Sequence, residues 1–166
     1  MQGNFARLSL IRACERGVEI MPLVRIDLRK GKDLTYRQEI GRVVYEAMVA
    51  VAGVPANARF QVVSEHDADN FLFDPGYLGI DRSDDLVIIQ ITWNEGRTVD
   101  QKKALYKAIV DGLAKAPGIR PEDVFINLVD VRKENWSVGK GEAQYASWKD
   151  AYWEGTAGQR EGESRV

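Results

Sequence analysis

The sequence contains one pattern twice. Leu23, Val24, Ile26 and Leu28 recur as Leu86, Val87, Ile89 and Ile91 at a constant offset, and the same offset carries Thr35 and Gln38 onto Thr98 and Gln101. A chain built from two copies of one unit can adopt only folds that accept the duplication, so the character of the unit decides the fold class. Each copy reads as an apolar strand followed by a capped helix. In Thr-x-x-Gln the hydroxyl accepts from a backbone amide of the first turn and the Gln side chain accepts from the cap amide.

After the first cap, Tyr36, Ile40, Val43, Val44, Ala47, Met48 and Val51 fall at helical spacing, with Arg37, Glu39, Arg42 and Glu46 on the opposite side, and the pattern stops at Gly53. The second copy repeats this with Val99, Tyr106, Ile109, Val110 and Leu113, with Lys102, Lys103 and Asp111 outside, and ends before Pro117 and Gly118. A strand follows each helix, predicted over Arg59–Glu65 and Val124–Val131. Two β-α-β units with right-handed crossovers predict an α+β fold, a four-stranded mixed sheet with two helices on one face. The strands are apolar on both sides (LVIIQI, VFINLV), so the uncovered face is expected to pack against other copies of the chain. Between the units, Asp67 to Asp85 is expected to form a loop or small hairpin.

Composition narrows the chemistry. Among 166 residues there is one Cys, Cys14, and one His, His66, too few for a Cys/His zinc site, and no metal or other cofactor is expected. With 23 basic against 25 acidic residues the net charge is −2, so neither nucleic acid nor an anionic membrane is an expected partner. No apolar run approaches the roughly 20 residues of a membrane span, and a single thiol suits the cytoplasm. Residues 1–20 lack the apolar core of a secretory signal and read as an N-terminal extension, either a real arm or upstream of a true start at Met21. At the other end, Tyr145, Trp148 and Tyr152 form one face of a possible short helix in the 145–166 segment, whose last part is rich in Gly, Glu and Arg and expected to be disordered.

The usual catalytic signatures are missing: no GxSxG, no phosphate-cradling glycine loop before Lys-Ser or Lys-Thr, and no GxGxxG after the first strand. Gly139 and Gly141 read as a tight turn. Pro22 admits two readings. It opens a strand, where its missing N–H costs nothing. If Met21 initiates translation and is removed, Pro22 becomes a secondary amine, whose pKa burial and nearby cations lower toward neutrality, where it serves as general base, general acid or nucleophile.

The segments MPLVRIDL, GVPANARFQVVSEH, LGIDRSDDLVIIQITWNEGRTVDQKKALYKAI and GIRPEDVFINLVDVRKENWSVGKGEAQ resemble the tautomerase superfamily, and within it the malonate semialdehyde decarboxylase-like branch. The resemblance runs from about Pro22 to Gln144 and implies a tautomerase-like domain over 22–144. It also implies an amino-terminal proline, here Pro22, as catalytic group, and assembly as a homotrimer. Arg97, just before the second helix, matches the arginine that binds the substrate carboxylate, a pairing suited to the planar guanidinium fork. Trp136 matches the aromatic of the W-S-x-G-x-G pocket wall. Arg59 and Asn57 are further expected substrate-binding residues, with His66 a satisfied strand-end histidine. Where the branch has an Asp after the first helix this chain has Ala58, beside Asn57. Neither side chain takes a proton at neutral pH.

The expected function is therefore that of a cofactor-free tautomerase of a small 2-oxo or 2-hydroxyalkenoate acid. Alternatives are hydration or decarboxylation of a 3-oxo acid such as malonate semialdehyde, and a non-catalytic oligomeric ligand-binding protein if residues 1–20 are retained. A ferredoxin-like regulatory module is the rival at the level of fold.

Overall fold

A computed structural model describes residues 21–146; the expectations for residues 1–20 and for Trp148, Tyr152 and the chain end lie outside the described residues. Both copies of the repeat form a strand and a helix. Strand β1 (Leu23–Arg29) leads to helix α1 (Leu34–Ala52) and strand β2 (Gln61–His66); strand β3 (Val87–Asn94) leads to helix α2 (Val99–Lys115) and strand β4 (Val124–Val131).

The sheet order is β2-β1-β3-β4. Within the first unit β1 and β2 run parallel, Val24 opposite Gln61 and Leu28 opposite Glu65. The two units meet through an antiparallel pair, Leu23 opposite Thr92 and Leu28 opposite Val87. The sheet is mixed for that reason: the first unit is internally parallel, and the junction between units is antiparallel.

Alternation along the strands sends Val24, Ile26 and Leu28 of β1 and Val87, Ile89, Ile91 and Trp93 of β3 to one side. There they pack with Ile40, Val44 and Met48 of α1 and Leu105, Ile109 and Leu113 of α2 into a single core. Leu105, rather than the exposed Val99, completes the apolar stripe of α2. The opposite face is mixed, carrying Leu23, Arg25 and Val62 but also a Gln90–Asn127 side-chain hydrogen bond of 3.1 Å.

One helix start differs from expectation. Asp33, not Thr35, caps α1, its Oδ1 accepting from the Tyr36 amide at 2.7 Å. A carboxylate is the stronger acceptor and sits one residue before the first helical position, so the Thr35–Gln38 pair is absorbed into the first turns. In α2 the expected box forms: Thr98 Oγ1 accepts from Gln101 N at 3.2 Å and Gln101 Oε1 accepts from Thr98 N at 2.9 Å. α1 ends on Gly53 in the left-handed region, φ 68°.

The 67–85 segment is a loop with two short 3-10 turns, Ala68–Asn70 and Tyr77–Gly79, and no hairpin. It is pinned by the buried Asp123, whose carboxylate accepts from the Ser83 amide at 2.6 Å and the Ser83 hydroxyl at 2.7 Å.

A division falls after Asp130, giving one compact unit up to that residue and another from Val131. In the second, Gly139, Lys140 and Gly141 all have positive φ, the tight turn expected there. The Gln144 side chain closes it, accepting from Val138 N at 3.1 Å and donating to the Gly139 carbonyl at 2.6 Å.

Candidate active site

The antiparallel junction decides what lies beside Pro22. Leu23 faces Thr92, so one step further along the same register Pro22 faces Trp93. Pro22 shares the helix-facing side with Val24 and is buried; Trp93 is fully buried. Two residues from separate copies of the repeat thus adjoin at one end of the sheet.

Arg97 lies over the Trp93 member of this pair. Its guanidinium carbon is 3.7 Å from the Trp93 ring centroid, a cation–π contact at close range. Its Nη1 donates to the Asn94 carbonyl at 2.8 Å, while Nε and Nη2 are buried and have no hydrogen-bond partner among the described residues. Among the described residues no carboxylate stands within ion-pair distance of it. Burial pushes the guanidinium down to about 10, partly offset by Asp130, so it remains fully charged at neutral pH. Two desolvated donors on one edge of a planar cation are what a carboxylate satisfies.

The Trp93 indole N–H donates to Asp130 Oδ1 at 2.7 Å, and Lys102 pairs with the second oxygen. Burial draws the Asp130 carboxyl upward, but its bonds from Lys102 and Trp93 and the charges of Lys102 and Arg97 outweigh this and hold it below its ordinary range.

The remaining expected site residues are more dispersed. Continuing the β1–β2 register by two steps sets Arg59 at the Pro22 end of the sheet. Its side chain, though, is engaged with the first unit: Nε donates to Gln61 Oε1 at 2.9 Å and the guanidinium lies 5.2 Å from the Tyr45 ring centroid. Asn57 is exposed in the turn after α1, next to Ala58, which packs against the core. Trp136 lies in the second unit, half-buried, and its indole N–H has no partner among the described residues. His66 sits at the far end of β2, bonded to Asp27 at 2.7 Å and stacked on Phe71, the satisfied histidine expected there.

A cavity of about 270 Å³ opens at that far end, lined by Arg29, Lys32, Tyr36, Asp84 and Asp85 among others. Arg29 is paired with Asp84, and Lys32 with Asp85 at 2.7 Å. Its cations are neutralised from within, in contrast to Arg97.

Two family models, each described as tautomerase enzyme, match residues 22–80 and 58–139. Probable tautomerase YusQ of Bacillus subtilis (strain 168) is 40% identical over 124 residues, covering 75% of this chain and 98% of that protein. The chain belongs to the tautomerase family. Probable tautomerase YrdN of the same organism is 30% identical over 129 residues, 78% of this chain and 99% of that protein. Among solved structures, FG41 malonate semialdehyde decarboxylase inhibited by 3-bromopropiolate is 36% identical with a TM-score of 0.70, over 75% of this chain and 94% of that one. A fused 4-OT symmetric trimer, 22% identical with a TM-score of 0.63 over 76% of this chain and 99% of that one, shares the fold.

For this tautomerase-family chain, sequence reasoning missed the support beneath Arg97. Trp93 reads as the apolar end of a strand and Asp130 as a polar residue near the end of another. The spacing of Trp93 four positions before Arg97 was the one available signal, and it acquires meaning only once the turn folds the guanidinium back over the ring.

Proposed function

We propose that this tautomerase-family protein is a cofactor-free keto–enol tautomerase of a small 2-oxo or 2-hydroxyalkenoate acid. Its catalytic domain spans Pro22–Gln144, Arg97 binds the carboxylate, and Pro22 is the general base. The observation that carries the reading is the uncommitted Nε/Nη2 edge of Arg97 beside the Pro22–Trp93 pair. A cation just before a helix N-terminus meets the positive end of the helix dipole, a cost that a bound carboxylate relieves. In the reaction neutral Pro22 takes the proton from the enol oxygen, the C=C π pair of the enol moves onto the alkene carbon that does not bear the oxygen, and the resulting ammonium gives the proton to that carbon. The electron pair of the O–H bond becomes the carbonyl π bond. A positioned base of this kind contributes on the order of 10² to 10⁴ in rate.

This role needs a free secondary amine. In the full chain the Pro22 nitrogen is an amide to Met21 and carries no proton. The first experiment is the intact mass of untagged protein from its native cell, followed by phenylenolpyruvate turnover. Mass starting at Pro22, with turnover lost in Pro22→Ala, supports the mechanism. Retention of residues 1–20, or unchanged turnover in Pro22→Ala, sinks it and favours a ligand-binding role.

A second reading, hydration or decarboxylation of a 3-oxo acid such as malonate semialdehyde, is favoured by the 36% and 32% identity to malonate semialdehyde decarboxylases. Ala58 weighs against it, since it offers no group to activate water. Assembly as a homotrimer through the uncovered sheet face is part of the proposal, supported by Val62 and Phe125, each 45% exposed there.

A further inference from the structure

The Arg97 guanidinium is restrained on its face and at one end. Its face rests on the Trp93 ring at 3.7 Å, and Nη1 is tied to the Asn94 carbonyl at 2.8 Å. The Trp93 ring is itself fixed in rotation, because its indole N–H is bonded to Asp130 Oδ1 at 2.7 Å. Lys102 occupies the other Asp130 oxygen. The Asp130 carboxylate is thereby spent on Trp93 and Lys102 and does not fold over to neutralise Arg97. What remains of the guanidinium is one edge, Nε–H and Nη2–H, buried and without partners among the described residues.

We propose that Trp93 and Asp130 are positioning residues. They present the Nε/Nη2 edge of Arg97 to the substrate, so that the site selects a free, planar carboxylate gripped by two parallel hydrogen bonds. This rests on the reading of Arg97 as the carboxylate-binding residue. The physical reason is preorganisation: a solvated arginine samples many rotamers and presents any of its five N–H groups, whereas a stacked and tethered one loses little further freedom on binding. An ester or amide cannot accept both bonds with full charge, so the discrimination is for the anion itself.

The test is calorimetric binding of phenylacetate and of phenylacetamide, which differ in the carboxylate alone and undergo no reaction. Wild-type protein is expected to prefer phenylacetate, and Arg97→Met to lose the preference. If wild type shows no preference, or Arg97→Met keeps it, the parent reading of Arg97 fails. With that reading intact, Trp93→Leu is expected to reduce the preference about tenfold, the scale of a desolvated cation–π contact, and Trp93→Phe to recover part of it. Asp130→Ala is expected to reduce it several-fold, with Asp130→Asn restoring it through the amide oxygen.

Should Trp93→Leu not fold, the two Asp130 variants decide. Preference unchanged in Asp130→Ala, or affinity for both ligands reduced equally, overturns the positioning role. A spectroscopic readout runs beside it. The Arg97 Nε–H resonance, lying over the indole face, is expected to be shifted upfield in wild type and to move toward its ordinary position in Trp93→Leu and Asp130→Ala. An ordinary position in wild type overturns the geometry.

Discussion

The Arg97 guanidinium lies 3.7 Å above the Trp93 ring while the indole N–H of the same ring is bonded to Asp130. The cation and the carboxylate are thus held by one aromatic residue and do not form an ion pair with each other. A direct pair would satisfy both charges and leave no cation for a ligand.

Arg97 is expected to contribute to binding and little to stability. Arg97→Met removes two buried donors without partners among the described residues, each a cost of about 1–3 kcal/mol, against the loss of one hydrogen bond and a cation–π contact of about 1–2 kcal/mol. The unfolding free energy of Arg97→Met should lie within about 1 kcal/mol of wild type or above it, by urea denaturation, while carboxylate affinity falls. A loss of 3 kcal/mol or more, on the order of a broken buried pair, would show that the arginine is structural.

Asp130 gives an acid-side signature. Its folded-state pKa is held below the ordinary range, so its charge stabilises the fold above about pH 4 and that contribution disappears as pH falls through the folded value. The stability difference between wild type and Asp130→Asn should therefore be constant near neutrality and shrink below about pH 4. A difference that persists unchanged to lower pH would mean the charge is not what stabilises.

The two helices touch where Gly112 of α2 meets Val43 of α1: a Cβ at Gly112 would stand 2.6 Å from Val43 Cγ1. Gly112→Ala should destabilise by about 1–3 kcal/mol from overpacking, although Ala by itself favours a helix by about 1 kcal/mol. Adding Val43→Ala should recover part of the loss, and a strictly additive double mutant would count against the contact.

At the start of α1, Asp33→Ala should cost about 1 kcal/mol, and Thr35→Ala should be near neutral. Thermal unfolding of the two variants separates them. The reverse order would restore Thr35 as the cap.

The duplication was legible because it is written in residue types. Two apolar runs, two helical stripes and the Thr98–Gln101 box are local patterns, and local patterns fix strands, helices and their ends. The order of the units along the chain then fixed the crossovers. Arg97 and Pro22 are singled out through the resemblance to the tautomerase family, since the place of Pro22 before the first strand by itself reads as a strand opening.

The tertiary structure decided the rest. The antiparallel pairing of β1 with β3 is a choice between non-local partners, and it alone sets Pro22 against Trp93. Which of the cations keeps free donors depends on distances between groups far apart in sequence. Arg29 and Lys32 are as basic on paper as Arg97, yet Asp84 and Asp85 neutralise them, whereas Trp93 and Asp130 leave the Arg97 edge open. A sequence lists charges; only the fold determines which are already spent on a neighbour.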